Sequence, residues 1–274
     1  MSTRFRFAAL VPVLLLTACQ PVNTTSGGAV GVQRQQYMFS MLSSQQVDQM
    51  YSQSYQKTVG EAKTAGKLDN DSADGKRVKA IAARLIPQTG AFRQDAPGWD
   101  WQVNLVKSDE LNANCGPGGK IIFYSGLIDK LHLSDDEIAA VMGHEIAHAL
   151  REHGREQMSR AYAVQMGESL GGALLGLGQG GMQMADQVVQ YSLTLPNSRQ
   201  NETEADLIGL ELAARAGYNP NAALTLWQKM GQAGGGEAPP EILSTHPADS
   251  TRMANLQAAI PKVMPLYEQA KGRN

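Results

Sequence analysis

Apolar positions change their spacing several times along the chain, and each change predicts an element. Met38, Leu42, Val47, Met50 and Tyr51 recur at helical spacing inside a polar, Gln-rich stretch, which predicts an amphipathic helix within about residues 34 to 67. A second helix is predicted over 74 to 85, halted before Pro87. Trp99, Trp101, Val103 and Leu105 alternate with polar or small residues and predict a half-buried strand over 99 to 106. Lys120 to Tyr124 reads as a second strand, entered through Gly116-Pro117-Gly118-Gly119. Ser134 followed by Glu137 forms a capping box, with Asp135 and Asp136 in the first turn of the long helix it opens. Later helices are predicted over 200 to 215, 219 to 230 and 247 to 260, with a Gly/Pro loop at 234 to 240. The sum is an α+β, mainly helical chain with a small sheet and no internal repeat.

At 274 residues and 42% hydrophobic content the chain can bury one sizeable core, so a single domain is expected over 34 to 274. The N-terminus is different. Arg4 and Arg6 precede the apolar stretch Ala8 to Leu16, as in a secretory signal, and Leu16-Thr17-Ala18-Cys19 resembles the lipobox of bacterial lipoproteins. Residues 1 to 18 are therefore expected to be removed and Cys19 to carry lipid, with residues 19 to 33, polar and rich in small side chains, as a flexible tether. Gln20 after the cysteine resembles outer-membrane sorting. The remaining cysteine, Cys115, would then lack an intrachain partner. The Gly- and Leu-rich stretch 170 to 181 is interrupted by Gln179, close to Gln183 and Glu168, and is read as packed helix or cover, not a membrane span. A net charge of -2 without a basic run past the extreme N-terminus argues against nucleic acid.

The chemistry sits on the capped helix. His144-Glu145-Ile146-Ala147-His148 is an HExxH sequence: side chains four positions apart differ by about 40° around a helix, so both imidazoles can reach one ion. Glu145, rotated by about 100° from His144, is placed to act on water at the ion as general base. Ile138, Met142, Ile146 and Ala149 form the apolar back of this helix. His153 falls in phase with that back and reads as a hydrogen-bonded packing residue; His132 reads as a surface or loop residue. A catalytic zinc needs a third protein ligand. In Asn201-Glu202-Thr203-Glu204-Ala205-Asp206, phase puts Glu202 and Asp206 beside Gly209 and Ala213, where a close helix contact would bring Glu202 to the metal and Asp206 to a ligand histidine. Glu204 falls with Glu211 and Arg215 on a face that reads as solvated. A wholly solvated charged helix is the alternative.

In order along the chain stand Asn112-Ala113 with Pro117-Gly118-Gly119-Lys120-Ile121, the HExxH sequence, Ser198-Arg199 with the ExxxD block ending at Asp206, and His246-Pro247 with Arg252. This series resembles the gluzincin metallopeptidases that include the CAAX prenyl protease and HtpX, metallopeptidase family 48, over roughly residues 100 to 260. The resemblance implies a zincin-like domain binding one zinc ion through His144, His148 and Glu202, with Asp206 and Arg252 in support and His246 facing substrate to stabilise the oxyanion. It also implies that an extended polypeptide lies along Asn112, Lys120, Ile121 and Ile122, with the strand at 120 to 124 as the edge. Asn114-Cys115-Gly116 departs from the bulkier apolar residues expected there, which leaves a metal contact from Cys115 open. The expected protein is thus a lipid-anchored zinc endopeptidase of the bacterial envelope, on the periplasmic face of the outer membrane, acting on unfolded or damaged envelope proteins with Glu145 as general base. Two other readings are a periplasmic chaperone or scaffold with structural zinc, and an enzyme held latent by residues 154 to 200.

Overall fold

The computed structural model describes residues 19–40, 42–174, 197–233, 241–246 and 250–272. Two short strands, β1 (Cys19–Val22) and β2 (Gln36–Phe39), pair antiparallel and lead into helix α1 (Ser44–Thr64). Helix α2 (Ala73–Leu85) follows, then two 3-10 turns, Ile86–Ala91 and Ala96–Gly98. Strands β3 (Gln102–Val106), β4 (Ala113–Gly116) and β5 (Lys120–Tyr124) make a three-stranded sheet in the order β3-β5-β4. Beyond it run helices α3 (Ser125–Leu131), α4 (Asp135–Leu150), α5 (His153–Leu174), α6 (Arg199–Arg215), α7 (Ala222–Ala233), α8 (Glu241–Thr245) and α9 (Ser250–Lys271). The mainly helical α+β expectation holds.

The capping box forms as read: the Ser134 side chain accepts from the Glu137 amide, and Glu137 Oε2 accepts from the Ser134 amide at 2.9 Å. Helix α4 is not half-exposed, however. Every residue from Glu137 to Leu150 is buried except Ala140, which is half-buried, because α6 covers the side that carries the histidines while the sheet, α2 and α7 pack on the rest. The contact with α6 is backbone on backbone. A Cβ on Gly209 would stand 2.6 Å from the His144 nitrogen, and one on Gly143 would stand 2.7 Å from the Gly209 oxygen, so only glycines permit this approach.

Several expectations change. The predicted helix within 34 to 67 is confined to 44 to 64, and Met38 is buried in β2 instead. Helix α2 does end at Leu85, before Pro87, and Pro87 enters the first turn of the 3-10 helix that follows, where no amide is needed. Trp99 and Trp101 precede their strand and stack on each other with centroids 5.5 Å apart. The last helix passes Pro261 and Pro265 to reach Lys271, held by the buried side chains of Leu256, Ala259, Ile260 and Val263. The tether is the largest correction. Val30 and Val32 belong to the main core, Ser26 donates its amide to the Phe92 carbonyl at 2.7 Å, and the Val30 amide donates to Glu211 Oε2 at 3.0 Å. Residues 23 to 35 are thus a strap folded across α6. The signal segment 1 to 18, the loop at 234 to 240, Pro247 and the part of the Gly- and Leu-rich stretch beyond Leu174 lie outside the described residues. Among the described residues no helix is long and apolar enough to cross a membrane.

Candidate metal centre

Helix α4 presents His144, Glu145 and His148 to one point, and the glycine contact lets α6 deliver Glu202 to the same point from its first turn. His144 Nε2 and His148 Nε2 stand 3.1 Å apart; Glu202 Oε2 is 3.5 Å from the former and Glu202 Oε1 is 3.4 Å from the latter. A tetrahedral zinc with bonds of ~2.0–2.1 Å has neighbouring donors ~3.4 Å apart, so the donor spacing fits that ion. The protonation pattern fits too. His144 Nδ1 lies 3.0 Å from Asp206 Oδ1, which fixes the proton there and leaves Nε2 a bare lone pair facing a second imidazole and a carboxylate. Such a convergence of electron pairs calls for a cation. Against the cost of desolvation, hydrogen bonds to Asp206 and Glu202 raise His144 to about 9, so the site favours positive charge at this point. Against its own desolvation, the surrounding histidines hold the Glu202 carboxyl far below its usual range.

Arg252 ties the two acids of α6 together. Its Nη2 donates to Glu202 Oε2 at 2.7 Å and to Asp206 Oδ1 at 2.9 Å, its Nε donates to Asp206 Oδ2 at 2.5 Å, and its guanidinium lies 3.4 Å from the Trp227 ring centroid. His246 comes closer than expected. Its Nδ1 is 3.0 Å from Glu202 Oε1 and 3.2 Å from His144 Nε2, which makes it a fourth member of the cluster, while its Nε2 is 3.5 Å from Glu145 Oε1. Glu145 is 4% exposed, and among the described residues its Oε1 has no hydrogen-bond partner. Burial pushes its carboxyl up from the ordinary value, opposed by the pull of His246 and His144. A buried carboxylate oxygen with no hydrogen bond, beside the donors, suits a proton carrier better than a structural acid.

Glu145 and His148 open onto a cavity of about 300 Å³ between α1 and the sheet. Asn112 and Ile122 line it, as do Tyr51 and Tyr55 from α1. Lys120 and Ile121 do not: β5 is the central strand, so it offers no free edge, and Lys120 turns to Asp100 at 2.9 Å. The edge passes instead to β4, Ala113 to Gly116, a strand too short and too small in its side chains to register as one. Its departure from the expected bulk has a structural counterpart. The Tyr51 ring lies against Gly116, where any Cβ would collide with it, and its hydroxyl donates to Asn114 Oδ1 at 2.8 Å. Cys115 is buried in this strand and is not among the residues that could hold a metal. Of the latency stretch, Gly154, Gln157, Met158 and Asn197 line the cavity, and residues 175–196 lie outside the described residues.

One residue of this region was misread. Glu204 is not on a solvated face: it is 6% exposed and accepts from Arg34, from Arg151 Nε at 2.8 Å and from His153 Nε2 at 3.2 Å. His153 packs in the core as expected, but its Nδ1 also meets His148 Nδ1 at 2.9 Å. Arg34, a partner of Glu204, lies in the strap, too distant in sequence for helical phase to reveal. His132, as expected, is a loop residue, ending α3 in the left-handed region at φ 47°.

The family model described as Peptidase family M48 matches residues 72–260. The chain is 34% identical over 180 residues to the mitochondrial metalloendopeptidase OMA1 of Saccharomyces cerevisiae, covering 63% of this chain and 51% of that protein. With the OMA1 of Arabidopsis thaliana it shares 40% over 165 residues, 59% of this chain and 32% of the relative. With the beta-barrel assembly-enhancing protease of Escherichia coli it shares 27% over 220 residues, 77% and 44% of the two chains. The chain therefore spans between a third and a half of the length of these relatives. Metalloproteases of the matched family use zinc.

Proposed function

Since the chain belongs to peptidase family M48, we propose that it is a zinc-dependent endopeptidase in which His144, His148 and Glu202 hold the metal and Glu145 is the general base. The observation that carries the reading is the tetrahedral spacing of the three donors beside a buried carboxylate oxygen that makes no hydrogen bond among the described residues. Bound zinc supplies the Lewis acidity that makes water a nucleophile near neutral pH and polarises a peptide carbonyl. Glu145 takes the proton of that water at Oε1 and returns it to the leaving amine. With His144, His148 and Glu202 as the residues that would hold zinc, His246 would be left to donate from Nε2 to the developing oxyanion. Asp206 fixes the His144 ring, and Arg252 holds Asp206 and Glu202 in register. The substrate is an extended polypeptide on the Asn112 to Gly116 edge, read mainly through its backbone, with Ile122 beneath its side chains.

The place of action is the bacterial envelope, with unfolded or damaged envelope proteins as substrates, envelope proteins as partners and lipid on Cys19 as the anchor to the outer membrane. The lipobox at 16 to 19 supports this, as does the likeness to a protease named for β-barrel assembly; the mitochondrial relatives are the competing context. With residues 23 to 35 folded as a strap and Cys19 paired to Phe39, such a lipid would hold the domain close to the bilayer. The test is cleavage of an unfolded protein by the purified chain, abolished by a chelator and restored by zinc. Bound zinc with capture of the unfolded protein but no cleavage would replace this reading with the chaperone.

A further inference from the structure

We infer that His153 and Glu204 are positioning residues for the metal ligand His148, and that Arg34 of the N-terminal strap is their outer anchor. The inference rests on the zinc reading of the site. For His148 to offer Nε2 to a metal, its Nδ1 must carry the proton and needs an acceptor. The neighbour at hydrogen-bonding distance is His153 Nδ1, 2.9 Å away. His153 then accepts at Nδ1, so its own proton is on Nε2, which faces Glu204 Oε2 at 3.2 Å. One assignment of protons satisfies the whole chain: His148 donates to His153, and His153 donates to Glu204.

The terminal carboxylate is fixed in turn. Arg151 Nε donates to it at 2.8 Å, and Arg34 reaches it through Nε and, at 3.2 Å, Nη2. Arg34 also grips Glu156 at 2.7 Å and Asn201 at 3.0 Å, and Arg151 Nη2 donates back to the Arg34 carbonyl at 2.9 Å. Arg151, His153 and Glu156 are each at most 1% exposed, so the inner part of the assembly is shielded from solvent, while the Arg34 side chain at its rim is half-buried. Support of a ligand histidine by a carboxylate is a known way of setting ring orientation and basicity. Here an imidazole is interposed, and the far end lies outside the span that the family model matches, which begins at residue 72. The strap thus becomes part of the metal centre.

The test measures zinc affinity of the full-length chain by competition with a chromophoric chelator, together with the visible spectrum of the cobalt-substituted protein and the thermal midpoint of the zinc-free form. His153→Phe keeps bulk and removes both hydrogen bonds; it should weaken zinc by about 10–100-fold and alter the cobalt spectrum. His153→Asn, whose Oδ1 can accept from His148 Nδ1, should recover most of the affinity. Arg34→Gln should weaken zinc by a few fold, less than His153→Phe. Should His153→Phe not fold, a wild-type cobalt spectrum and affinity in both Glu204→Gln and Arg34→Gln would overturn the inference. Folded His153→Phe with wild-type affinity and spectrum would overturn it directly, leaving His153 a packing residue. Failure of the wild-type chain itself to bind zinc would remove the underlying reading as well.

Discussion

The two histidines of the metal centre reach the same point with supports of different build. His144 is backed by one carboxylate, Asp206, which Arg252 and Trp227 lock from α9 and α7. His148 is backed by a second imidazole and only then by a carboxylate, Glu204, locked by Arg151 and by Arg34 from the strap. Both carboxylates come from one helix, α6, two residues apart and on different faces. A buried helix can thus serve a site from two sides, provided that different parts of the chain close over each face. The His144 side lies within the span shared with family M48, whereas the His148 side is completed by a segment before it.

Separating α6 from α4 should disturb both supports at once. Gly209→Val would drive a side chain into the His144 backbone and should lower the thermal midpoint of the zinc-free chain substantially, by the equivalent of about 3 kcal/mol or more, with loss of zinc. A variant of near wild-type stability would mean that the helix contact is looser than described. The centre shared by both supports is probed by His246→Ala. It should keep one zinc per chain and lower kcat by about 10²–10³-fold; loss of zinc would make His246 a required ligand. The simpler support is isolated by Asp206→Asn, which should weaken zinc by about 10–100-fold in the same competition assay.

The smallest effect lies on the Glu204 side and depends on pH. Despite desolvation, hydrogen bonds from His153 and Arg34 and the nearby Arg151 charge lower Glu204 from 4.5 to about 2. A depressed carboxylate contributes stability above its unfolded value and loses it as pH falls through its folded value. The stability of the wild-type chain relative to Glu204→Gln should therefore be greatest above pH 4.5 and shrink on acidification toward about 2, as read by denaturant melts at each pH. A gap that stays constant across that range would show that the Glu204 charge is not held by these partners.

The difference between the two sides also explains what could be read from the chain. The capped helix, the HExxH phase and the choice of Glu202 with Asp206 over Glu204 follow from periodicity within single helices, and the small residue at 209 announces the close contact. The face of Glu204 and Glu211 was misjudged because its cover is residues 23 to 35, whose polar, small composition carries no period of its own. Their order comes from partners such as Glu211 for Val30 and Glu204 for Arg34, contacts that only the folded chain brings together. Strand β4 was missed for a related reason. Ala-Asn-Cys-Gly has neither β-branched residues nor alternation, and its pairing with β5 is what makes it a strand. Placing β5 at the edge was the consequence.

The central claim is that Glu145 moves protons and does not hold the metal. Glu145→Gln in the full chain should retain one zinc per chain by metal analysis while cleavage of an unfolded protein falls below detection beside an active wild type. Loss of zinc from a folded Glu145→Gln chain, or cleavage undiminished by the substitution, would contradict the account.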